Sequence, residues 1–452
     1  MRVKKLHLRN FRGFNDLEII FPLSHIAVFT GINGSGKSSM LDCVAMLLSR
    51  FVSKLTGSEA ELSLTEDDIN VTSSPSETLN TISVSAGCEP PLSDDLSWRI
   101  SFPVKDTHGG YERELSHHID GNLHVRVKTD SSLNLPVLAY YQTDRTISGH
   151  AVSKASETWL TRHQKFSDPR FFAYQGAFTR NMTDLSDFIS WFRVEEDIEN
   201  ETKIRQKDFD AANRNLEVVR EVTTIFLSHF SSCDYSHLRM QRRRENGDFI
   251  FHASKESSLI ISKDGQELKA EQLSAGEQIL LLMVCDIARR LALTNPGTDH
   301  ARYGKGIVLI DEIELHLHPQ WQRDVIPCLH HTFPNIQFIV TTHSPQVLSN
   351  VEKEDVRILE NFKIVGKTPH TKGRDTNSVL FEIQGVEERP VSYKDKLRKL
   401  YRLIDEEQTE EAKIILSELT EKFGQNDAEI VRANIHIEYI EEEKSEVYKE
   451  RC

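Results

Sequence analysis

The stretch SHIAVFTGINGSGKSSMLDCVAMLL, residues 24–48, constrains this chain more than any other. A short apolar run reads as a buried strand ending in glycine. The residues after it match G-x-x-x-x-G-K-[ST] at every defined position, from Gly31 to Ser38. From Lys37 to Val52 the pattern turns helical, with Met40, Leu41, Val44, Leu47 and Leu48 on one side. Glycines let backbone N–H groups approach phosphate oxygens, and the start of a helix adds partial positive charge. Gly31, Asn33, Gly34, Ser35, Gly36, Lys37, Ser38 and Ser39 are therefore the expected binding residues of a Walker A loop. Lys37 is expected to reach the β- and γ-phosphates of ATP, and Ser38 to hold Mg2+.

A second motif lies far downstream. In GIVLIDEIELHLHP four apolar residues, Ile307 to Ile310, read as a buried parallel strand, and Asp311 and Glu312 stand at its carboxyl end. Open α/β sheets bind ligands at that end. Asp311 is expected to orient Mg2+, and Glu312 to polarise the attacking water.

With these two motifs in place, a family resemblance becomes specific. EQLSAGEQ, carrying Ser274, Gly276 and Glu277, resembles the signature sequence of ABC-type ATPases and precedes Asp311 in that family's order. The resemblance implies that Ser274 and the Gly276 amide clamp the γ-phosphate of ATP held by a second chain, so that two chains sandwich the nucleotide. Ser274 and Glu277 also fit a capping box. FIVTTHSP places His343 after another apolar strand, similar to the family's switch histidine. LRNFRGF resembles the opening of RecF- and Rad50-type heads and implies a nucleotide contact for Arg12. Gln142, in YYQTDR, falls at the position of the Q-loop glutamine that touches Mg2+. A plain strand-end role for Gln142 stays open, as does a functional role for Arg145. Glu314, His316 and His318 fall in the D-loop region, and two histidines without further clustered ligands make a poor zinc site.

The expected fold is α/β: an ABC ATPase head with a mostly parallel core sheet, an antiparallel β lobe, a helical insertion and a C-terminal helical tail. The expected division is 1–154 (Walker A and β subdomain), 155–228 (helical insertion), 229–385 (signature, second carboxylate motif and switch histidine) and 386–452 (helical tail). Short alternating runs such as TISVSAG and SWRISFPV read as strands, with a strand pair near His124–Lys128. ENGD reads as a hairpin turn, and residues 155 to about 228 read as helical, including a long amphipathic stretch from Lys203 to Phe230. The tail reads as helical with a break near FGQND, where Asp427 caps a second helix.

Composition narrows the function. A net charge of −14 speaks against a whole-surface DNA binder, though not against a local basic groove. Arg242-Arg243-Arg244 could contact phosphate or simply block sheet growth at an edge. No apolar run of membrane-spanning length occurs, the N-terminus lacks the apolar core of a signal peptide, and the cysteines show no CxxC spacing. A cytoplasmic protein without membrane association is expected.

AYQGAFTRN…FISWFRVEEDIEN and GVEERP…KLRKLYRLIDEEQTEEAKIILSEL resemble the short ATPases of bacterial defence loci, most closely the PtuA family of Septu systems, including retron-associated ones. That resemblance implies an ATPase working beside a separate HNH nuclease of PtuB type. Whether a retron reverse transcriptase and its small DNA (msDNA) join the complex stays open. No nuclease is expected in this chain: residues 381–452 contain no DxD, and His117, His118 and His124 lack an HNH framework. A RecF-like DNA repair clamp and a nucleotide sensor with little turnover are the alternatives.

Overall fold

The computed structural model describes residues 1–60, 62–70, 80–87, 95–102, 127, 129–143, 168–178, 185–230, 233–242, 244–245, 248–249, 257–298, 300–366 and 368–451. Its first strands are β1 (Arg2–Phe11), β2 (Phe14–Ile20) and β3 (Ile26–Thr30), followed by α1 (Lys37–Thr56), β4 (Asn80–Gly87), β5 (Asp95–Phe102) and β6 (Val137–Tyr141). A 3-10 turn (Pro169–Tyr174) precedes α2 (Leu185–Gln206) and α3 (Arg214–Ser228). Next come β7 (Tyr235–Arg242), β8 (Arg244–Glu245), β9 (Asp248–Phe249), β10 (Ser257–Lys263), β11 (Gln266–Lys269) and α4 (Ala275–Thr294). The sheet then completes with β12 (Gly306–Ile310), α5 (Pro319–Thr332), β13 (Ile336–Thr342), the short α6 (Pro345–Leu348), β14 (Val356–Glu360) and β15 (Lys363–Ile364).

Runs such as VLAYY, GIVLI and IQFIVTT are buried at every position because they lie inside a sheet covered on both faces. The order is β15-β14-β3-β13-β12-β6, parallel except for the β15 edge. The one amide inside it, Gln337, is satisfied by the backbone of Val3, accepting its N–H at 2.7 Å and donating to its carbonyl at 3.0 Å. This pair stitches the core sheet to the antiparallel sheet β2-β1-β4-β5. α1 carries the apolar face the sequence predicts, and Trp98 of β5 closes over it, donating its indole N–H to Leu47 O at 3.0 Å.

β7, β10 and β11 form a smaller antiparallel sheet, and the expected ENGD hairpin is present as β8 against β9. α4 is buried almost throughout, including Asp286, Arg289 and Arg290. Asp286 accepts from both arginines at 2.6 and 2.7 Å and from the Tyr141 hydroxyl at 3.0 Å, which ties α4 to β6. Those bonds hold the Asp286 carboxyl far below its ordinary range despite complete burial.

Two expectations are corrected. The stretch from Lys203 to Phe230 is not one helix: Lys207 takes a left-handed φ of 54°, and Asn213 starts α3 by accepting the Asn215 N–H at 2.9 Å. The tail has three helices rather than two, namely α8 (Val391–Asp405), α9 (Thr409–Phe423) and α10 (Ala428–Arg451), after α7 (Thr376–Gln384). The extra break comes at Glu407, which is left-handed with φ 57°. Asp427 does cap α10, accepting the Glu429 N–H at 3.0 Å. The segment around His124 and Lys128, along with His117, His118 and Arg145, lies outside the described residues, as do the side chains of Arg242, Arg243 and Arg244.

The chain divides into two compact units, Met1–Val379 and Leu380–Cys452. In the second, Leu397, Leu400, Leu416, Leu419, Ile430 and Ile437 form a small core of their own. Among the described residues no helix is long and apolar enough to cross a membrane.

Candidate active site

Four neighbouring parallel strands, β3, β13, β12 and β6, end side by side at the carboxyl edge of the core sheet. Thr30 pairs with Thr342, and Ile310 pairs with both Val340 and Tyr141. The residues that follow the strands therefore gather at this edge in two adjacent levels: Asp311 and Gln142 beside Thr341, and Gly31 beside His343 two residues further along β13. Adjacent strands are only about 5 Å apart, so motifs distant in sequence become neighbours here.

The phosphate loop runs from Gly31 to Gly36, and α1 begins at Lys37. No side chain caps α1 and its first turn has no acidic residue, so its leading N–H groups stay available to an anion. Lys37 is nearly buried and folds back over the loop, donating to the carbonyls of Gly31 and Ile32 at 2.9 Å each. Burial lowers its ammonium pKa, against the opposing pull of Asp311, Glu312 and Glu314. Ser35 Oγ is buried without a hydrogen-bond partner, an orphan that a phosphate oxygen would satisfy.

Asp311 is buried at the end of β12. Its Oδ1 accepts from Ser38 Oγ at 3.2 Å and from Thr341 Oγ1 at 2.5 Å. Glu312 follows in a left-handed conformation, φ 47°, with its N–H held by Thr341 Oγ1 at 2.8 Å. Thr341 thus holds the Asp311 carboxylate and the Glu312 backbone at once. Glu314 turns to the end of β13, accepting from Thr342 Oγ1 at 2.8 Å and from the His343 N–H at 2.5 Å. His343 is half-buried; burial and then the Lys37 charge hold its imidazole below the ordinary value, although three carboxylates act the other way. One ammonium facing three carboxylates leaves room for a divalent cation. Mg2+ binds through one or two carboxylates, hydroxyls and substrate phosphates rather than a closed protein cage, and the Ser38–Asp311 pair fits that pattern. Among the described residues no group of three or more His, Cys, Asp or Glu forms such a cage.

Arg12 lies beside this loop. Its guanidinium donates to Asp42 at 2.7 Å, Asp68 at 2.9 Å and Ser39 Oγ at 3.2 Å, so it braces the first turn of α1. Asp42 also accepts from Tyr140 of β6 at 2.8 Å.

The signature residues form a separate cluster. Ser274 caps α4 in a capping box with Glu277, whose Oε2 accepts from the Ser274 N–H at 2.9 Å and hydroxyl at 2.8 Å. The other oxygen of Glu277 accepts from Lys263 at 2.6 Å and Tyr235 at 2.8 Å. Burial pushes the Glu277 carboxyl up, but these donors outweigh it and hold the group at about 2. Glu277 therefore faces inward and acts through Ser274. A Cβ on Gly276 would lie 2.8 Å from the carbonyl of His316, so only glycine lets the start of α4 approach the segment after Glu312. His318 Nδ1 meanwhile accepts from the Gln320 N–H at 3.3 Å and starts α5. Within the chain no hydrogen bond among the described residues joins Ser274 or Gly276 to the phosphate loop. Sequence reasoning missed Thr341, Asp42, Tyr140, Lys263 and Tyr235; Thr341 and Tyr140 stand inside FIVTTHSP and YYQTDR but carry no signal of their own there, and each becomes visible only through its bonds.

The profile of a protein family described as "AAA domain, putative AbiEii toxin, Type IV TA system" matches residues 26–349. "Retron Ec83 probable ATPase" of Escherichia coli is 28% identical, covering 97% of this chain and 87% of that protein. "Septu protein PtuA" of Bacillus thuringiensis is 29% identical over 34% of this chain and 41% of its own. Among solved structures, the Smc head domain with an extended coiled coil, bound to the C-terminal domain of ScpA, from Pyrococcus furiosus, superposes with a TM-score of 0.43 at 17% identity, covering 80% of this chain and 96% of that one. The family match spans the phosphate loop, the signature cluster, Asp311 and His343 alike, and the chain belongs to this AAA domain family.

Proposed function

We propose that this chain is the ATP-hydrolysing regulatory subunit of a bacterial antiphage defence complex, a pair of chains sandwiching ATP and so controlling a separate HNH-type nuclease of PtuB kind. The observation that carries the reading is the shared carboxyl edge of four adjacent strands, where the phosphate loop, His343, Asp311 with Glu312, and Gln142 lie near one another. The retron and Septu names of its relatives support the defence setting. The lobes at 1–154, 155–228, 229–385 and 386–452 belong to the same reading.

In this scheme the loop amides, Lys37 and Arg12 bind and orient the triphosphate of the substrate ATP. Ser38, Asp311 and Gln142 hold Mg2+, which when bound neutralises phosphate charge. Glu312 takes the proton of the attacking water, and neutral His343 donates toward the γ-phosphate. Ser274 and the Gly276 amide of a second chain close the site, with Glu277 positioning Ser274. Nucleotide that binds only the paired state shifts the population toward pairs.

The test is recovery of the tagged chain from cells expressing its own operon. Co-purification of an HNH nuclease with an even number of these chains is expected; a reverse transcriptase and msDNA in the same particle would place it in a retron. A chain recovered alone that binds DNA in an ATP-dependent, salt-sensitive way would instead favour a RecF-like clamp.

A further inference from the structure

The hairpin β14–β15 lies against the phosphate loop from the side opposite the sheet's carboxylates. Glu360 pairs with Lys363, which leaves Asn361 and Phe362 as a two-residue turn. Both take positive φ, 47° and 60°. Such turns favour Asn-Gly, and a bulky aromatic in the glycine position is rare. Sequence propensity would not put Phe362 there, so its placement calls for a reason found elsewhere.

Three contacts supply one. The Phe362 N–H donates to Ser35 O at 3.2 Å, inside the phosphate loop. The half-buried ring packs on Gly36, where a Cβ would meet it at 2.7 Å, and on Gly13, where a Cβ would meet it at 2.2 Å. It also meets Phe14 edge to face, with centroids 5.1 Å apart. Just before the turn, Leu359 O lies so close to Gly31 that a Cβ there would sit 2.1 Å from it. The hairpin therefore touches the loop at its first residue, at its Ser35 carbonyl and at its last glycine. Through Gly13 it also touches the turn that carries Arg12.

We propose that the Asn361–Phe362 turn is a backstop that sets the shape of the phosphate loop, making Phe362 a positioning residue for triphosphate binding. The inference rests on reading that loop as an ATP site. A loop that must present several N–H groups at once loses affinity when its outer support is removed, because part of the binding free energy then goes into ordering it.

Phe362→Gly tests this, since it suits the turn better while deleting the ring. Phe362→Tyr keeps the ring and serves as the rescue. The readouts are ATP affinity by fluorescence titration, melting, and amide hydrogen exchange of residues 31–39 without nucleotide. The glycine variant is expected to melt cooperatively, to exchange faster in the loop and to bind ATP about tenfold more weakly, while the tyrosine variant matches wild type. If the glycine variant does not fold, Phe362→Leu is read in the same way. Wild-type exchange and ATP affinity in a folded variant would overturn the backstop. Failure of the wild-type chain to bind ATP would overturn the nucleotide reading and this inference with it.

Discussion

Thr341→Val removes one oxygen from the centre of the site and leaves its volume nearly unchanged. Thr341 is fully buried, donates to Asp311 Oδ1 at 2.5 Å and accepts the Glu312 N–H at 2.8 Å. Valine fills the same space, so no cavity forms. Two hydrogen bonds are lost, one to a carboxylate, and the Glu312 amide is left without its acceptor. Bonds to charged groups contribute about 1.5–3 kcal/mol and an orphaned buried amide costs about 1–3 kcal/mol, so the unit should lose roughly 3–5 kcal/mol. That is a melting decrease of roughly 4–6 °C for a unit of this size. If about half of the loss bears on the geometry of Asp311 and Glu312 in the transition state, ATP turnover falls on the order of ten- to seventyfold. Phosphate release and thermal melting measure both effects. Thr341→Ser keeps the hydroxyl and should stay within about threefold of wild type. A valine variant with wild-type turnover and melting would refute the claim that this hydroxyl holds the Asp311 carboxylate and the Glu312 backbone in place.

Two further outcomes follow from buried charge. Asp286→Asn leaves Arg289 and Arg290 inside α4 without their counter-charge and should destabilise the first unit by about 3–5 kcal/mol, read by denaturant unfolding; a variant as stable as wild type would mean that water or another group already compensates these arginines. Glu277 is held at about 2 in the fold against an ordinary 4.5, so its stabilising contribution is present above pH 4.5 and fades as pH falls toward 2. The stability gap between wild type and Glu277→Gln should therefore narrow by about 1 kcal/mol between pH 6 and pH 3.5; a gap independent of pH would contradict the charged cap.

Much of the architecture is legible in the sequence because fully buried parallel strands must be apolar at every position. IAVFT, VLAYY, GIVLI and IQFIVTT announce themselves that way, and each carries its site residue at the following position. The capping box at Ser274 is legible too. What escapes is whatever depends on tertiary partners. Thr341 and Thr342 read only as good strand formers, although one orders Asp311 and Glu312 and the other bonds Glu314. Arg289 and Arg290 at helical spacing from Asp286 look like a solvated face, yet all three are buried. Phe362 looks like an ordinary apolar residue of a strand and turns out to occupy a left-handed turn position. Breaks at Lys207 and Glu407 carry no glycine or proline to mark them.

The central claim is that ATP held by Lys37 of one chain is completed by Ser274 of another. Mixing two inactive variants tests it most directly. Lys37→Ala should lose nucleotide binding, and Ser274→Arg should keep binding but lose turnover. Randomly paired, half the dimers join one of each and contain a single intact site, so the mixture should recover about a quarter of wild-type ATP hydrolysis. A mixture as inactive as either variant alone, or full turnover by Ser274→Arg on its own, would contradict a site shared between two chains.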